Sequence, residues 1–237
     1  MQSIHNRYPL LPTLIVIFAV GVLLRLGWWQ LERAEQKQLR AEQLAARQGQ
    51  PALDLQDINR MQGDVRDFPL QVTGSIDTDR PLLWDNRIMN GQVGYEVLAL
   101  LRTEQGNLAV NLGWVPAESR RELLPQIVLP AEKKVFEGVV TIPSDNPLVR
   151  EMLDNNQSWP LRLQQPDIAL MEKLWNEPLM PFMMQLGDTQ SLGLENNWRP
   201  VVMPAQKHLA YALQWFGLAV ACLLIYVLAL RKRNGEK

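Results

Sequence analysis

Two long apolar runs bracket a middle stretch in which hydrophobic residues alternate with polar ones. Leu209 to Leu230 is broken only by Gln214. At ~1.5 Å per residue it is long enough to cross ~30 Å of hydrocarbon. Leu10 to Trp29 is the other run, opened by Pro12 and interrupted by Arg25. Strong helix formers fill Gln30 to Gln48, and Gly49 with Pro51 closes the segment, so the first membrane helix is predicted to project beyond the bilayer.

The period then changes to two. Leu70, Val72 and Ile76 alternate with polar or small residues, and Leu82, Trp84 and Ile88 do so again. Asn90-Gly91 follows, and Val93, Tyr95, Val97, Ala99 and Leu101 share the next face. Asn-Gly between alternating runs is a strong hairpin signal. Gln105-Gly106-Asn107 marks a second turn into Leu108, Val110, Leu112 and Trp114, and Phe136 to Ile142 forms a further strand. Pro166 to Trp175 reads as a short helix, with Leu179 to Leu186 and Trp198 to Met203 as two more strands. Such a meander must cover its apolar face, by curling into a barrel or by packing a helix.

These elements predict a membrane protein with two transmembrane helices flanking an α+β, mainly antiparallel β, meander or barrel-like extracytoplasmic domain. The boundaries read as residues 1–9, a cytoplasmic N-terminus; 10–29, the first span; 30–48, a juxtamembrane helix; 49–207, the β-rich domain; 208–230, the second span; and 231–237, a cytoplasmic C-terminus. Arg231, Lys232, Arg233 and Lys237 place the C-terminus in the cytoplasm, and two spans place the N-terminus there too. His5 and Arg7 ahead of an apolar run also suit a cleaved signal peptide, but no small-x-small site follows: the chain continues Gly27-Trp28-Trp29-Gln30. Retention as an anchor is therefore expected. With no transit peptide ahead of the span, the setting is a bacterial inner membrane with the middle domain periplasmic.

Charge and cysteine narrow the chemistry. Residues 33–207 carry 18 Lys and Arg against 23 Asp and Glu, which argues against a nucleic-acid partner and suits a domain standing off the surface of an anionic lipid bilayer. The single cysteine, Cys222, lies inside the second apolar run, so the middle domain holds no disulfide and depends on its core. That domain has neither His nor Cys, so no Ser-His-Asp, Cys-His or zinc set can be assembled in it. Asp77, Asp79, Asp85 and Glu96 read as acidic turns rather than a hydrolytic carboxylate pair. Met180, Met183 and Met184 read as core packing rather than a copper site, since adjacent residues of a strand face opposite ways. The expectation is a protein that is not an enzyme.

The membrane lip remains. His208 opens the second span, and at 100° per residue His208, Tyr211, Ala212, Trp215, Ala219 and Cys222 fall on one face. Two readings of that face stand. Tyr, Trp and His are at home at the headgroup level. Alternatively, imidazole, aromatics and small residues in this order suit a flat haem with His208 as the iron ligand. Arg25 likewise either snorkels to the interface or pairs with a carboxylate, such as a haem propionate, between the helices.

Six segments in this order resemble the Surfeit locus protein 1 family of cytochrome c oxidase assembly factors: LGWWQLERAEQK, PLQVTGSI, GQVGYEVLALL, VNLGWVP, EGVV and HLAYALQWFGLA. Leu112 stands where the family pattern has arginine, and Lys207 where a polar residue such as asparagine is common, which marks a divergent bacterial member. The resemblance implies a two-span protein that helps haem a reach the catalytic subunit of a haem-copper oxidase, with that subunit and a haem a synthase as partners. It implies haem iron ligation by His208, with Tyr211 and Trp215 on the same motif. The alternative it leaves is a scaffold that stabilises an oxidase subunit without binding haem.

Overall fold

Helix α1 (Leu10–Gln48) runs without a break from the apolar segment into the polar one. A computed structural model describes residues 10–143, 158–200 and 203–235. After α1 come α2 (Leu55–Arg60), strands β1 (Pro69–Ile76), β2 (Leu82–Met89), β3 (Gln92–Thr103), β4 (Gly106–Pro116), β5 (Lys134–Thr141) and β6 (Leu161–Leu163). Helix α3 (Ile168–Trp175), strand β7 (Met183–Leu186) and helix α4 (Ala205–Gly235) complete the order. The chain divides into two compact units, a helix pair from residues 1–43 and 200–237 and a β unit from residues 44–199.

Both terminal helices are long and apolar enough to cross a membrane. Their apolar windows have mean hydropathies of 2.3 and 2.2, and only 6% of each is buried within the molecule. A core helix of a water-soluble domain hides such a surface; these two leave it for lipid.

The β unit is built by closure. Strand order is β1-β5-β7-β4-β3-β2-β6, with β1 also pairing β3, so five strands form a ring and β2 with β6 extends from it. Strand β3 makes this possible because its length serves two partners along one edge. Its first half pairs β2, from Met89↔Gln92 to Leu82↔Leu98. Its end pairs β1 at Ile76↔Leu101 and Gly74↔Thr103. The Asp77 N–H donates to the Leu100 carbonyl at 2.8 Å, where the exchange of partners takes place. Gly74 lies opposite both Thr103 and Lys134, so β1 is paired on both sides there. A Cβ at Gly74 would sit 2.4 Å from the Arg102 carbonyl oxygen, a distance only glycine permits.

Closure gives the sheet two buried faces. Tyr95, Val97, Ala99 and Leu101 from β3, and Leu108, Val110 and Leu112 from β4, fill the interior with Val72, Phe136 and Met184. The opposite face carries Leu98, Leu100, Ala109 and Met183 under Met171 and Trp175 of α3. Met183 and Met184 thus serve different cores, as alternation along a strand requires. Helix α3 begins where the Asp167 carboxylate accepts from the Leu170 N–H at 2.7 Å and ends at Asn176 in the left-handed conformation. The Asn90-Gly91 turn has positive φ at both residues, 50° and 83°, which closes the β2–β3 hairpin tightly.

Some elements differ from the sequence reading. Helix α2 and strand β6 had no periodic signal, being only six and three residues long. β7 begins at Met183 because Pro181, two residues earlier, has no N–H for a ladder. Residues 198–200 of the expected strand Trp198 to Met203 are irregular, Met203 has φ of 69°, and residues 201–202 lie outside the described set. A left-handed residue immediately before α4 does not extend a strand.

Asp77, Asp85 and Glu96 are not exposed acidic turns: they are 8%, 6% and 4% exposed. Asp77 accepts from Arg80 at 2.7 Å and Arg102 at 3.0 Å. Arg80 also donates to the Trp175 carbonyl at 2.6 Å, and the Trp175 indole donates to the Arg80 carbonyl at 2.8 Å, so the cluster ties α3 to the β1–β2 turn. Burial raises the Asp77 pKa, but hydrogen bonds from Arg80, the Asp79 N–H and Arg102 outweigh it and hold the group below its ordinary value. A carboxyl depressed in the folded state stabilises the fold above its unfolded pKa of ~3.9, and that contribution is lost as pH falls through the lower folded value. Asp77→Asn is expected to lower stability at neutral pH by roughly 1–3 kcal/mol and to flatten its decline below about pH 4. Denaturant unfolding of the detergent-purified chain across that pH range checks both; an unchanged acid limb in the variant would refute the assignment.

Candidate functional site

In the helix unit the buried positions of α1 and α4 follow a heptad. On α1 the sheltered side runs Thr13, Val16, Val20, Leu23, Gly27, Gln30 and Ala34; on α4 it runs Ala205, His208, Ala212, Trp215, Ala219, Cys222 and Tyr226. Spacings of three and four place these residues on one seam of each helix. Small residues bring the backbones close: a Cβ at Gly27 would lie 2.5 Å from the Phe216 ring. Thr13 and Tyr226 join their hydroxyls in a hydrogen bond, and Gln30 reaches His208 near the opposite end, so the pair is antiparallel.

His208 is 7% exposed, with Nδ1 2.8 Å from the Gln30 Oε1. An amide oxygen only accepts, so the imidazole donates through Nδ1, and in the neutral ring the lone pair is on Nε2. That Nε2 is buried without a hydrogen-bond partner among the described residues. An orphaned imine nitrogen behind an oriented Nδ1–H is the donor arrangement of a metal-ligating histidine, in which the outer hydrogen bond fixes tautomer and ring direction. As a single axial donor, His208 fits a haem iron.

The other sequence candidates are not gathered around it. Trp215 is half-buried on the same seam two turns along, whereas Tyr211 is 43% exposed at its flank. Arg25 is exposed on the outer side of α1, lining a shallow apolar recess of about 320 Å³ with Phe18, Gly21, Val22 and Leu26. It therefore has the outward position that snorkelling requires, and not the place between the helices that the alternative, a counter-charge for a carboxylate, requires. The heptad turns Leu23, Gly27 and Gln30 inward, which leaves position 25 on the far side. Gln30 was not anticipated. In sequence it opens a polar helix, although its spacing of three from Gly27 and four from Ala34 continues the seam.

The β unit holds a second feature that the sequence did not reveal, a polar cavity of about 470 Å³ outside the barrel wall. Glu96, Asn111 and Gln185 line it from three adjacent strands. Glu96 is bound by Arg87 at 2.9 Å and Asn111 at 2.6 Å; Asp85 is bound by Arg121 at 2.6 Å. Each carboxylate is thus charge-paired, which suits recognition rather than proton transfer.

A bulky residue at position 27 tests the seam. In a Cys222→Ser background, cysteines replacing Thr13 and Tyr226 are expected to be joined in membranes by a short bifunctional thiol reagent, which spans the gap that the tyrosine ring fills. Adding Gly27→Leu is expected to reduce the yield severalfold by forcing the Phe216 ring aside. Equal cross-linking with and without the leucine would show that the helices do not pack through this seam.

The family model described as the SURF1 family matches residues 17–220, which takes in most of both apolar helices and the whole β unit. The chain is 24% identical over 229 residues to a SURF1-like protein of Rickettsia felis, covering 91% of this chain and 95% of the relative. It is 25% identical to a SURF1-like protein of Rickettsia conorii, covering 92% and 90%, and 26% identical to one of Rickettsia bellii, covering 90% and 88%. Coverage from end to end at this identity means the relatives share the architecture and not merely one motif. With two apolar terminal helices, a closed β unit between them and a family match across both, this chain belongs to the SURF1 family.

Proposed function

We propose that the protein is a non-enzymatic assembly factor for a haem-copper terminal oxidase in the bacterial inner membrane, and that it holds haem a in passage to the catalytic subunit. The observation that carries this reading is the His208 Nε2, buried and without a hydrogen-bond partner among the described residues, on a ring that Gln30 orients through Nδ1. A neutral imidazole supplies the axial ligand that haem iron takes from proteins. Gln30 orients the donor, and Trp215 offers an aromatic surface two turns along the same helix. One protein ligand without a second makes a holding site from which a better-furnished subunit withdraws the cargo.

Orientation follows from charge. Lys232 and Arg233 in the last turn of α4 support a cytoplasmic C-terminus and, with it, a periplasmic β unit. The partners on this reading are the lipid bilayer, the oxidase catalytic subunit and a haem a synthase.

A second reading, a scaffold that steadies an oxidase subunit without haem, is favoured by the close packing at Gly27–Phe216 and by the position of Arg25 on the outer side of α1. The visible absorption spectrum of the detergent-purified protein separates the two. Haem transport expects a Soret band that His208→Ala abolishes while circular dichroism is unchanged, and that Gln30→Leu weakens by about tenfold in haem affinity, the usual effect of losing an orienting partner. A haem-free protein whose His208→Ala variant still supports oxidase assembly would establish the scaffold instead.

A further inference from the structure

Arg25 lies within the apolar part of α1, on its outer side, and makes no hydrogen bond or ion pair among the described residues. On a water-facing surface such a charge is simply hydrated. Within a membrane span it is costly unless it reaches water or an anion. The helix fixes what it can reach. Trp28 and Trp29 follow within about one turn, both exposed, and the Arg33 guanidinium lies 5.6 Å from the Trp29 ring centroid. Paired aromatics beside a cation mark the headgroup level of a bilayer. Arg25 stands four residues short of Trp29, ~6 Å along the axis, so its stem spans the distance to the lipid phosphates.

The surface beneath Arg25 is concave. Gly21, one turn deeper, has nothing within 4 Å of where a Cβ would sit, and with Phe18, Val22, Arg25 and Leu26 it lines the recess of about 320 Å³. A glycine inside a helix lowers its stability and calls for a reason in packing. Gly27 has that reason in the Phe216 ring; among the described residues Gly21 has none. A second helix fits the recess poorly. Close approach of two membrane helices needs small residues repeated about one turn apart. Ile17, Phe18, Leu24 and Arg25 flank Gly21 at those spacings, and all four are exposed. One notch with a bulky rim suits a narrow, flexible chain, and the cation above it suits a phosphate.

We propose that α1 carries a phospholipid site on its outer side, where Arg25 holds the phosphate of an anionic lipid and the Gly21 recess receives an acyl chain. A guanidinium takes two phosphate oxygens through parallel N–H donors. A lipid with no amine in its headgroup, such as phosphatidylglycerol, leaves its full negative charge to that pairing. The choline of phosphatidylcholine competes for the same phosphate. The lipid supplies the counter-charge outside the helix pair, so the seam that shelters His208 needs none. The site is independent of any haem bound at His208.

Titration of the full-length protein in detergent micelles with phosphatidylglycerol or phosphatidylcholine, read by native mass spectrometry, tests this. The protein is expected to retain phosphatidylglycerol about fivefold more tightly than phosphatidylcholine, the effect of one cation close to an anionic headgroup. Arg25→Gln is expected to remove that preference, and Gly21→Leu to weaken both lipids while sparing it. Replacing Arg231, Lys232 and Arg233 by Gln isolates the basic C-terminal cluster and is expected to leave the preference in place. Equal retention of the two lipids by folded protein, or a preference that survives Arg25→Gln and vanishes with the C-terminal cluster, would overturn the proposal. So would displacement of the lipid by inorganic phosphate at about 10 mM, because the site would then read the anion alone. Tighter capture of a poly-leucine peptide bearing one glutamate would assign the recess to a partner helix and likewise overturn the lipid.

Discussion

The β unit depends on one strand serving two partners along a single edge. A barrel of five strands closes only if β3, after releasing β2 near Leu98, is taken up by β1 from Leu101 onward. The exchange needs a point where two backbones nearly touch, and Gly74 provides it. It also needs the chain to turn sharply out of β1, which the Asp77 cluster accomplishes. Asp77 caps the turn through the Asp79 N–H and draws Arg80 and Arg102 together, and Arg80 in turn fixes the end of α3. Closure and helix cover are thus coupled through one carboxylate. With no cysteine in the domain, this coupling does the work that a disulfide performs in many exported proteins.

A second consequence of closure is that both faces of β3 and β4 are buried, so their side chains divide between two environments. Tyr95 to Leu101 inward and Leu98 with Leu100 outward make nearly continuous burial along β3. Polar residues on such a strand are costly unless matched, which is why Glu96 and Asn111 are locked to each other and to Arg87.

The sequence made the regular parts of this fold readable. Alternation in β1, β3 and β4, the Asn90-Gly91 turn and the Asp167-capped helix α3 are local signals, each set by residues within a few positions of one another. Closure is not legible in the sequence because it depends on β1 meeting β3 far along the chain, and no local periodicity encodes that. The polar cavity was invisible for the same reason: Glu96, Asn111 and Gln185 meet through register alone. Asp85 and Glu96 looked like exposed turns because the sequence does not show which arginine returns to cover them. In the helix unit His208 stood out by its rarity, yet its partner Gln30 did not, since a glutamine at the start of a polar helix looks solvated. The 100° rule put Tyr211 on the His208 face, whereas the observed seam follows the narrower heptad and leaves Tyr211 at its flank.

The choice of glutamine opposite His208 bears on what such a site is for. A carboxylate at that position would fix the same Nδ1 tautomer but draw the ring toward imidazolium, and a cation ligates no metal. It would also bring a formal charge into the seam between two apolar helices, where desolvation is severe. The neutral amide of Gln30 orients the ring without either effect. It adds little basicity, so any iron bound at Nε2 is held less firmly than by a histidine backed by an acid. Weak, well-aimed ligation is what a carrier needs and a resident redox centre does not. The same neutral pair is also the least costly way to satisfy one half of a buried imidazole. Packing alone accounts for the Nδ1–H bond to Gln30; it gives no account of the bare Nε2 on the other side of the ring.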